Sequence, residues 1–217
     1  MAHHLVNNKN SLLSQFVAEI RDISIQEDRL RFRRNMERIG EIIAYEMSKE
    51  LPWVSQNVTT PLADASCYVL QEQPILATIL RAGVALHNGL LSYFDKADSA
   101  FISAYRKHDS DGKFDIELEY LSCPDISDRI LIVSDPMLAT GRSMVLTLKA
   151  LLKEGTPKNI HIVCAIASKQ GIEFVETELP EATVWAAAID DVLNDESYIV
   201  PGLGDAGDLA FGCKMQN

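Results

Sequence analysis

Ile130-Leu131-Ile132-Val133-Ser134-Asp135-Pro136-Met137-Leu138-Ala139-Thr140-Gly141-Arg142-Ser143-Met144 divides into a strand, a loop and the start of a helix. An unbroken apolar run closed by Ser134 and Asp135 fits a strand buried on both faces. Helical spacing then runs from residue 143 to 154, and Gly155 and Pro157 supply the stop. In open α/β sheets, ligands bind at such carboxyl ends of strands. The loop amides, the helix N-terminus and the Thr140 and Ser143 hydroxyls suit a phosphate group, and Asp135 suits sugar hydroxyls. An ordinary turn with Ser143 as N-cap would also fit the pattern, but Pro136-Met137-Leu138 is apolar for an exposed turn without a task. No GxxxxGK[ST] and no phosphate-reaching lysine is present, which excludes a Walker-type nucleotide loop.

Outward from this segment the pattern alternates. Strand-like runs occur at 67–70, 75–80, 100–105, 114–121, 129–134, 160–167 and 183–189, with helical patterns at 85–94, 143–154 and 169–178 between several of them. Two helices precede them, at 11–22 and 27–51, and Pro52 ends the second. Its Arg29, Arg31, Arg33, Arg34 and Arg38 fit a solvated or interface face better than a ligand site. Ser110-Asp111-Gly112 looks like the turn of an inserted β-hairpin. The fold class predicted is α/β, a twisted and mainly parallel sheet flanked by helices. A single domain over residues 1–217 is expected.

A formal net charge of −11 argues against a nucleic-acid binder, because such a surface repels phosphate backbones. A small polyanion is still admissible if a few arginines and amides are well placed. No apolar run approaches the roughly 20 residues of a membrane span. The segment Met1-Ala2-His3-His4-Leu5 has no secretory pattern, so a cytoplasmic location and no membrane partner are expected. Cys67, Cys123, Cys164 and Cys213 form no CxxC pair and are expected to be mostly buried structural thiols. His3 and His4 are expected in a floppy terminus, and no histidine receives a catalytic role.

The 130–144 segment resembles the PRPP-binding loop of type I phosphoribosyltransferases, and Asp135-Pro136-Met137-Leu138-Ala139-Thr140-Gly141 is similar to the uracil branch of that family. Three further segments agree and stand in the right order. Pro74-Ile75-Leu76 through Ile79-Leu80-Arg81-Ala82-Gly83 resembles the pyrophosphate loop, and Ala104-Tyr105-Arg106 resembles the strand end with a second arginine. Tyr198-Ile199-Val200-Pro201-Gly202-Leu203-Gly204-Asp205-Ala206-Gly207-Asp208 is similar to the uracil-binding signature. That last stretch also matches GxGxxG, but only ten residues follow Gly207, too few for a dinucleotide-binding unit.

The resemblance implies a base-binding hood near the C-terminus and an enzyme making UMP and pyrophosphate from uracil and PRPP. It assigns PRPP contacts to Arg81, Arg106, Asp205 and the loop of Asp135, Pro136, Met137, Leu138, Ala139, Thr140, Gly141, Arg142 and Ser143. Uracil falls to Ile199, Gly204, Asp205 and Ala206, largely through main-chain atoms, and catalytic roles to Asp205 and Arg106. Mg²⁺ would arrive with PRPP and need no dedicated protein cage. The resemblance further implies a homo-oligomer, a dimer or higher, and a possible GTP activator. The uracil branch tends to have one acid before the loop, as in Ser134-Asp135. Arg142 stands where that branch commonly has glycine, and would either add charge near the 5-phosphate or crowd it. The stretch 107–123 is a lid or a dimer-contact hairpin. Two rivals stay open: a silent PRPP- or UMP-binding relative, and an enzyme for another base such as a purine or orotate.

Overall fold

A computed structural model describes the backbone of residues 3–108 and 114–214, and the side chains of these residues outside 104–119. Its centre is one mainly parallel sheet. Strands β4 (Ile75–Leu80), β7 (Ile130–Ser134) and β9 (Asn159–Ser168) form the middle and are buried almost throughout, as two-sided coverage demands. They are joined by β1 (His3–Leu5), β5 (Asp98–His108), β6 (Phe114–Ser122), β8 (Met137–Leu138) and β10 (Ala182–Asp190) in the order β1-β10-β9-β7-β4-β5-β6, with β8 beside β9. Every pairing is parallel except β5 with β6.

The strand period of two sends neighbouring residues to opposite faces. Ile130 and Ile132 join the core under α1 (Leu12–Arg21), α2 (Arg29–Ser48) and α3 (Val84–Tyr93), beside Ile39, Ile43 and Leu86. Leu131 and Val133 join the opposite core, under α4 (Arg142–Leu151) and α5 (Lys169–Glu178), beside Leu148 and Val175. The expected α/β architecture is therefore present, with the arginines of α2 mostly directed outward. Arg31 pairs with Glu19 at 2.8 Å, and Arg34 with Glu37 at 2.6 Å.

Three expectations need correction. Residues 67–70 do not join the parallel sheet. They lie in β3 (Asp64–Leu70), which pairs only with β2 (Trp53–Thr59) in a separate antiparallel hairpin whose β2 is exposed along its whole length. β2 shows no even alternation of polar and apolar residues, and the hairpin meets the core only near its root, where Leu70 packs against it. His3 and His4 are not in a floppy terminus: β1 extends the sheet beside β10. His4 stacks on Trp185 with ring centroids 4.0 Å apart, and the Trp185 indole donates to His161 Nδ1 at 3.2 Å. Burial holds His161 neutral, pushing its pKa down to about 4, with His4 adding to the effect. Third, Cys164 alone of the four thiols is buried, while Cys67 and Cys213 are exposed. The ordinary-turn alternative for 130–144 does not hold either: α4 begins at Arg142 with Gly141 as N-cap, so Ser143 lies in its first turn and is not the cap. The turn at Ser110-Asp111-Gly112 lies outside the described residues, although β5 and β6 do pair as a hairpin on either side. Among the described residues no helix is long and apolar enough to cross a membrane.

Candidate functional site

From β4 the chain goes to β5 on one side, and β7 later arrives on the other, so connections diverge between β4 and β7. A crevice opens at the carboxyl ends of strands at such a point. Arg81 follows β4 and Asp135 follows β7, so the two residues flank it. The strand ends are tied together: Thr78 Oγ1 donates to the Ser134 carbonyl and Ser134 Oγ to the Ala77 carbonyl, both at 3.2 Å. Behind Arg81 the loop packs so closely that a Cβ on Gly83 would stand 2.2 Å from Thr78 Oγ1. Only glycine lets the chain fold back there.

The loop after β7 is fixed through its backbone. The Asp135 amide donates to the Val163 carbonyl at 3.0 Å, and the Pro136 carbonyl accepts from Ala165 at 3.1 Å and Ile166 at 3.0 Å. Met137 and Leu138 form β8 against β9, with Leu138 buried. This anchoring explains the apolar character of Pro136-Met137-Leu138. Ser168 Oγ, at the end of β9, donates to the Ala139 carbonyl at 2.6 Å and accepts from the Gly171 amide at 2.8 Å. Gly141 takes φ 76°, and a Cβ on it would lie 2.8 Å from the Gly171 carbonyl. Beyond it Arg142 is exposed and, with Thr140, Gln170, Asn194 and Ser197, borders a cleft of about 320 Å³.

Asp135 keeps some solvent contact at the floor of the crevice. Loss of hydration nonetheless pushes its carboxyl up to about 7; the Met137 amide opposes this, Asp205 reinforces it, and Lys214 opposes it. Asp205 and Lys214 thus come within electrostatic reach of Asp135 although 70 or more positions away along the chain.

The other wall is the C-terminal segment. A small hairpin of β11 (Val192–Leu193) and β12 (Ile199–Val200) leads through Gly202 and Gly204 into α6 (Ala206–Phe211). Its anchor is Asp190, at the end of β10. Arg21 grips that carboxylate with two bonds of 2.8 Å and also donates to the Gly202 carbonyl at 3.0 Å. The Gly202 amide returns to Asp190 at 3.0 Å. Gly202 has φ 56°, and a Cβ there would stand 2.0 Å from the Ile199 carbonyl. Asp205 caps α6, its Oδ1 accepting from the Asp208 amide at 3.0 Å. The Gly204 and Ala206 amides have no acceptor among the described residues. Arg81 Nη2 donates to Asp208 Oδ1 at 2.8 Å and to the Gly212 carbonyl. A hollow of about 540 Å³ borders the same segment, lined by Gln26, Arg29, Leu203, Gly204, Asp205 and Asp208 among others.

Arg81, Asp135, Asp205 and the start of α6 therefore meet at one crevice. Thr140 and Arg142 lie along its loop, and Ile199 is buried in β12 beneath the facing segment. Arg106 lies on β5 opposite Ile116, with its side chain outside the described residues. Arg21, Asp190 and Ser168 were not anticipated, and Asp208, although inside the C-terminal signature, had no role assigned. Two of them carried a sequence signal: Ile189-Asp190 repeats the strand-then-acid ending of β7, and Ser168 with Gly171 is a helix cap directly after an apolar run. Among the described residues no three His, Cys, Asp or Glu side chains gather as a metal site.

The uracil phosphoribosyltransferase family model matches residues 6–213. A uracil phosphoribosyltransferase of Porphyromonas gingivalis is 56% identical over 208 residues, covering 95% of this chain and 96% of the relative. One from Methanococcus maripaludis is 37% identical over 203 residues, covering 92% and 86%. Among solved structures, the AQ2163 protein from Aquifex aeolicus superposes with a TM-score of 0.85 at 27% identity, covering 96% of this chain and 98% of that one.

Proposed function

The chain belongs to the uracil phosphoribosyltransferase family, and on that premise we propose how its crevice performs the transfer. The reaction moves the 5-phosphoribosyl group of PRPP to uracil, giving UMP and pyrophosphate, a pentosyl transfer of pyrimidine salvage. The N1–C1′ bond forms, the bond from C1′ to the pyrophosphate oxygen breaks, and the N1 proton is lost. The observation that carries the assignment of residues is the meeting of Arg81, Asp135 and Asp205 at the divergence of β4 and β7.

Asp135 accepts from the ribose hydroxyls as a carboxylate, and the loop of residues 136–143 receives the 5-phosphate through its hydroxyls and the amides beyond Met137. Arg142 extends this end of the site as an exposed positive charge. Arg81 and Arg106 face the pyrophosphate, a task for which a charged, planar fork is suited. Uracil lies against Ile199, Gly204 and Ala206; the uncommitted Gly204 and Ala206 amides support this, because they can donate to its carbonyl oxygens. Cytosine would present an amino group to one of these donors and leave buried polar atoms mismatched. Asp205 Oδ1 is committed to the helix cap, which leaves Oδ2 as the oxygen available to PRPP or the N1 proton.

Mg²⁺ carried on PRPP would neutralise the departing pyrophosphate. Asp135 and Asp205, close enough for one to disturb the other's charge, fit such an ion as neighbours of a substrate-held metal. Positive charge building on the sugar makes positioning and fixed charge the main contributions of the protein.

The working unit is a homo-oligomer, at least a dimer, in the cytoplasm. A two-stranded hairpin is marginal alone. This one exposes Trp53, Val54, Val58, Leu62 and Tyr68, a surface that fits a second copy of the chain. Light scattering of the wild type and of a hairpin variant, Leu62→Asp with Tyr68→Asp, tests it; monomeric wild type refutes it. GTP activation is implied by the resemblance alone, with no described residue attached to it. The whole assignment is tested by mixing the protein with Mg²⁺, PRPP and single bases. Turnover of uracil with little from cytosine, hypoxanthine or orotate is expected. Binding without turnover would instead mark a silent relative.

A further inference from the structure

Arg81 has its guanidinium already engaged by neighbouring acceptors. Its Nη2 donates both to Asp208 Oδ1 and to the Gly212 carbonyl. Its Nε is buried with no acceptor among the described residues. A guanidinium offers phosphate two bidentate edges, Nε with Nη2 and Nη1 with Nη2, and both contain Nη2. With both Nη2 hydrogens taken, neither edge is free. Asp208 is in the first turn of α6, directly beyond the base-binding Asp205 and Ala206, and a Cβ on Gly207 would stand 3.6 Å from Ala82 Cβ. The segment proposed to hold the base is thus fastened to the segment proposed to hold the pyrophosphate, through the side chain the pyrophosphate needs.

We infer that Asp208 is a positioning residue that latches Arg81 in the substrate-free protein, and that the diphosphate of PRPP displaces it. The inference rests on the assignment of Arg81 to the pyrophosphate. Exchange of one anion for another releases the Gly212 carbonyl and loosens the end of α6, so occupancy of the PRPP site is transmitted to the base site. Arg81 and Asp208 are each about one-third exposed, which makes this a weak latch, one that a multiply charged diphosphate overcomes.

The test compares Asp208→Asn with Arg81→Ala in the full chain, using inorganic pyrophosphate with Mg²⁺ in calorimetry and PRPP in steady-state kinetics. Asp208→Asn is expected to tighten pyrophosphate and lower the KM for PRPP by roughly fivefold, the scale of a partly exposed ion pair. A merely structural Asp208 would instead weaken pyrophosphate binding and raise the KM for PRPP. A raised or unchanged KM for PRPP in Asp208→Asn, with Arg81→Ala weakening PRPP, overturns the latch and leaves the Arg81 assignment standing. An Arg81→Ala protein that binds PRPP as the wild type does removes the assignment, and the latch with it. Should Asp208→Asn fail to fold, hydrogen exchange on the wild type decides: amides at 209–213 should exchange several-fold faster with saturating Mg-pyrophosphate, and protection there refutes the latch.

Discussion

The two walls of the crevice are held by different chemistry. The loop at 135–143 is tied down through its main chain, by β9 at Pro136 and β8 and by the N-terminus of α5 at Ala139 and Gly141. The segment at 199–214 is held through side-chain charges, Arg21 with Asp190 at one end and Arg81 with Asp208 at the other. Backbone bonds in a packed sheet have no alternative partner, whereas an ion pair can exchange one partner for another. The wall at 135–143 is therefore preformed, and the wall at 199–214 is adjustable.

Substitutions can break this contrast. The largest effect is expected from Asp205→Ala, which removes a carboxylate of the C-terminal wall whose charge reaches Asp135 across the crevice. Turnover should fall on the order of 100-fold or more, while loss of the α6 cap costs only about 1 kcal/mol of stability. Full activity by continuous UMP assay would take Asp205 out of the site. Next comes Asp190→Asn, which weakens the clasp on Arg21 and Gly202. The KM for uracil should rise about tenfold with that for PRPP within about twofold; equal rises would mean the walls are not separable.

A pH series sharpens the contrast further. With the Asp135 pKa up to about 7, kcat/KM for PRPP should climb between pH 6 and 8, and Asp135→Asn should abolish that step along with most PRPP binding. The stability sign is opposite. A carboxyl whose folded pKa lies above its unfolded value keeps its proton longer in the folded state, so its stabilising share is present at low pH and lost as pH rises towards 7. Asp135→Asn should consequently gain on the wild type with rising pH, by about 3 °C in Tm at pH 8; a lower Tm at every pH would contradict it. The smallest effect belongs to Ser168→Ala. The Ala139 carbonyl loses one bond while the rest of the loop stays pinned, so the KM for PRPP should rise only about threefold. A much larger loss would show that the loop is not preformed.

The elements visible in the sequence were those whose pattern follows burial. β4, β7 and β9 read as apolar runs because both faces are covered, and α2 and α5 read as helices because one face is. The β2–β3 hairpin was half missed because β2 obeys no such period, being exposed along its whole length. β1 was missed because three residues are too short to carry a period; its place comes from an open edge of β10 and the stacking of His4 on Trp185. The segments proposed for the site, Asp135 to Ser143 and Ile199 to Ala206, could be picked out because each is one unbroken motif. The pairing of Arg21 with Asp190 could not, since partners 169 positions apart leave no local trace of each other, even though Ile189-Asp190 shows a strand-then-acid ending.

The chain has two tryptophans, and the fold sends them to opposite extremes: Trp53 stands at the root of the exposed hairpin, 46% accessible, and Trp185 is 3% accessible under the N-terminal strand. The molecule carries its own pair of optical reporters. Burial of the hairpin would move the Trp53 emission towards the blue, whereas detachment of the strand would move that of Trp185 towards the red. One excitation wavelength, with each indole removed in turn, follows the outer arm and the inner seam separately.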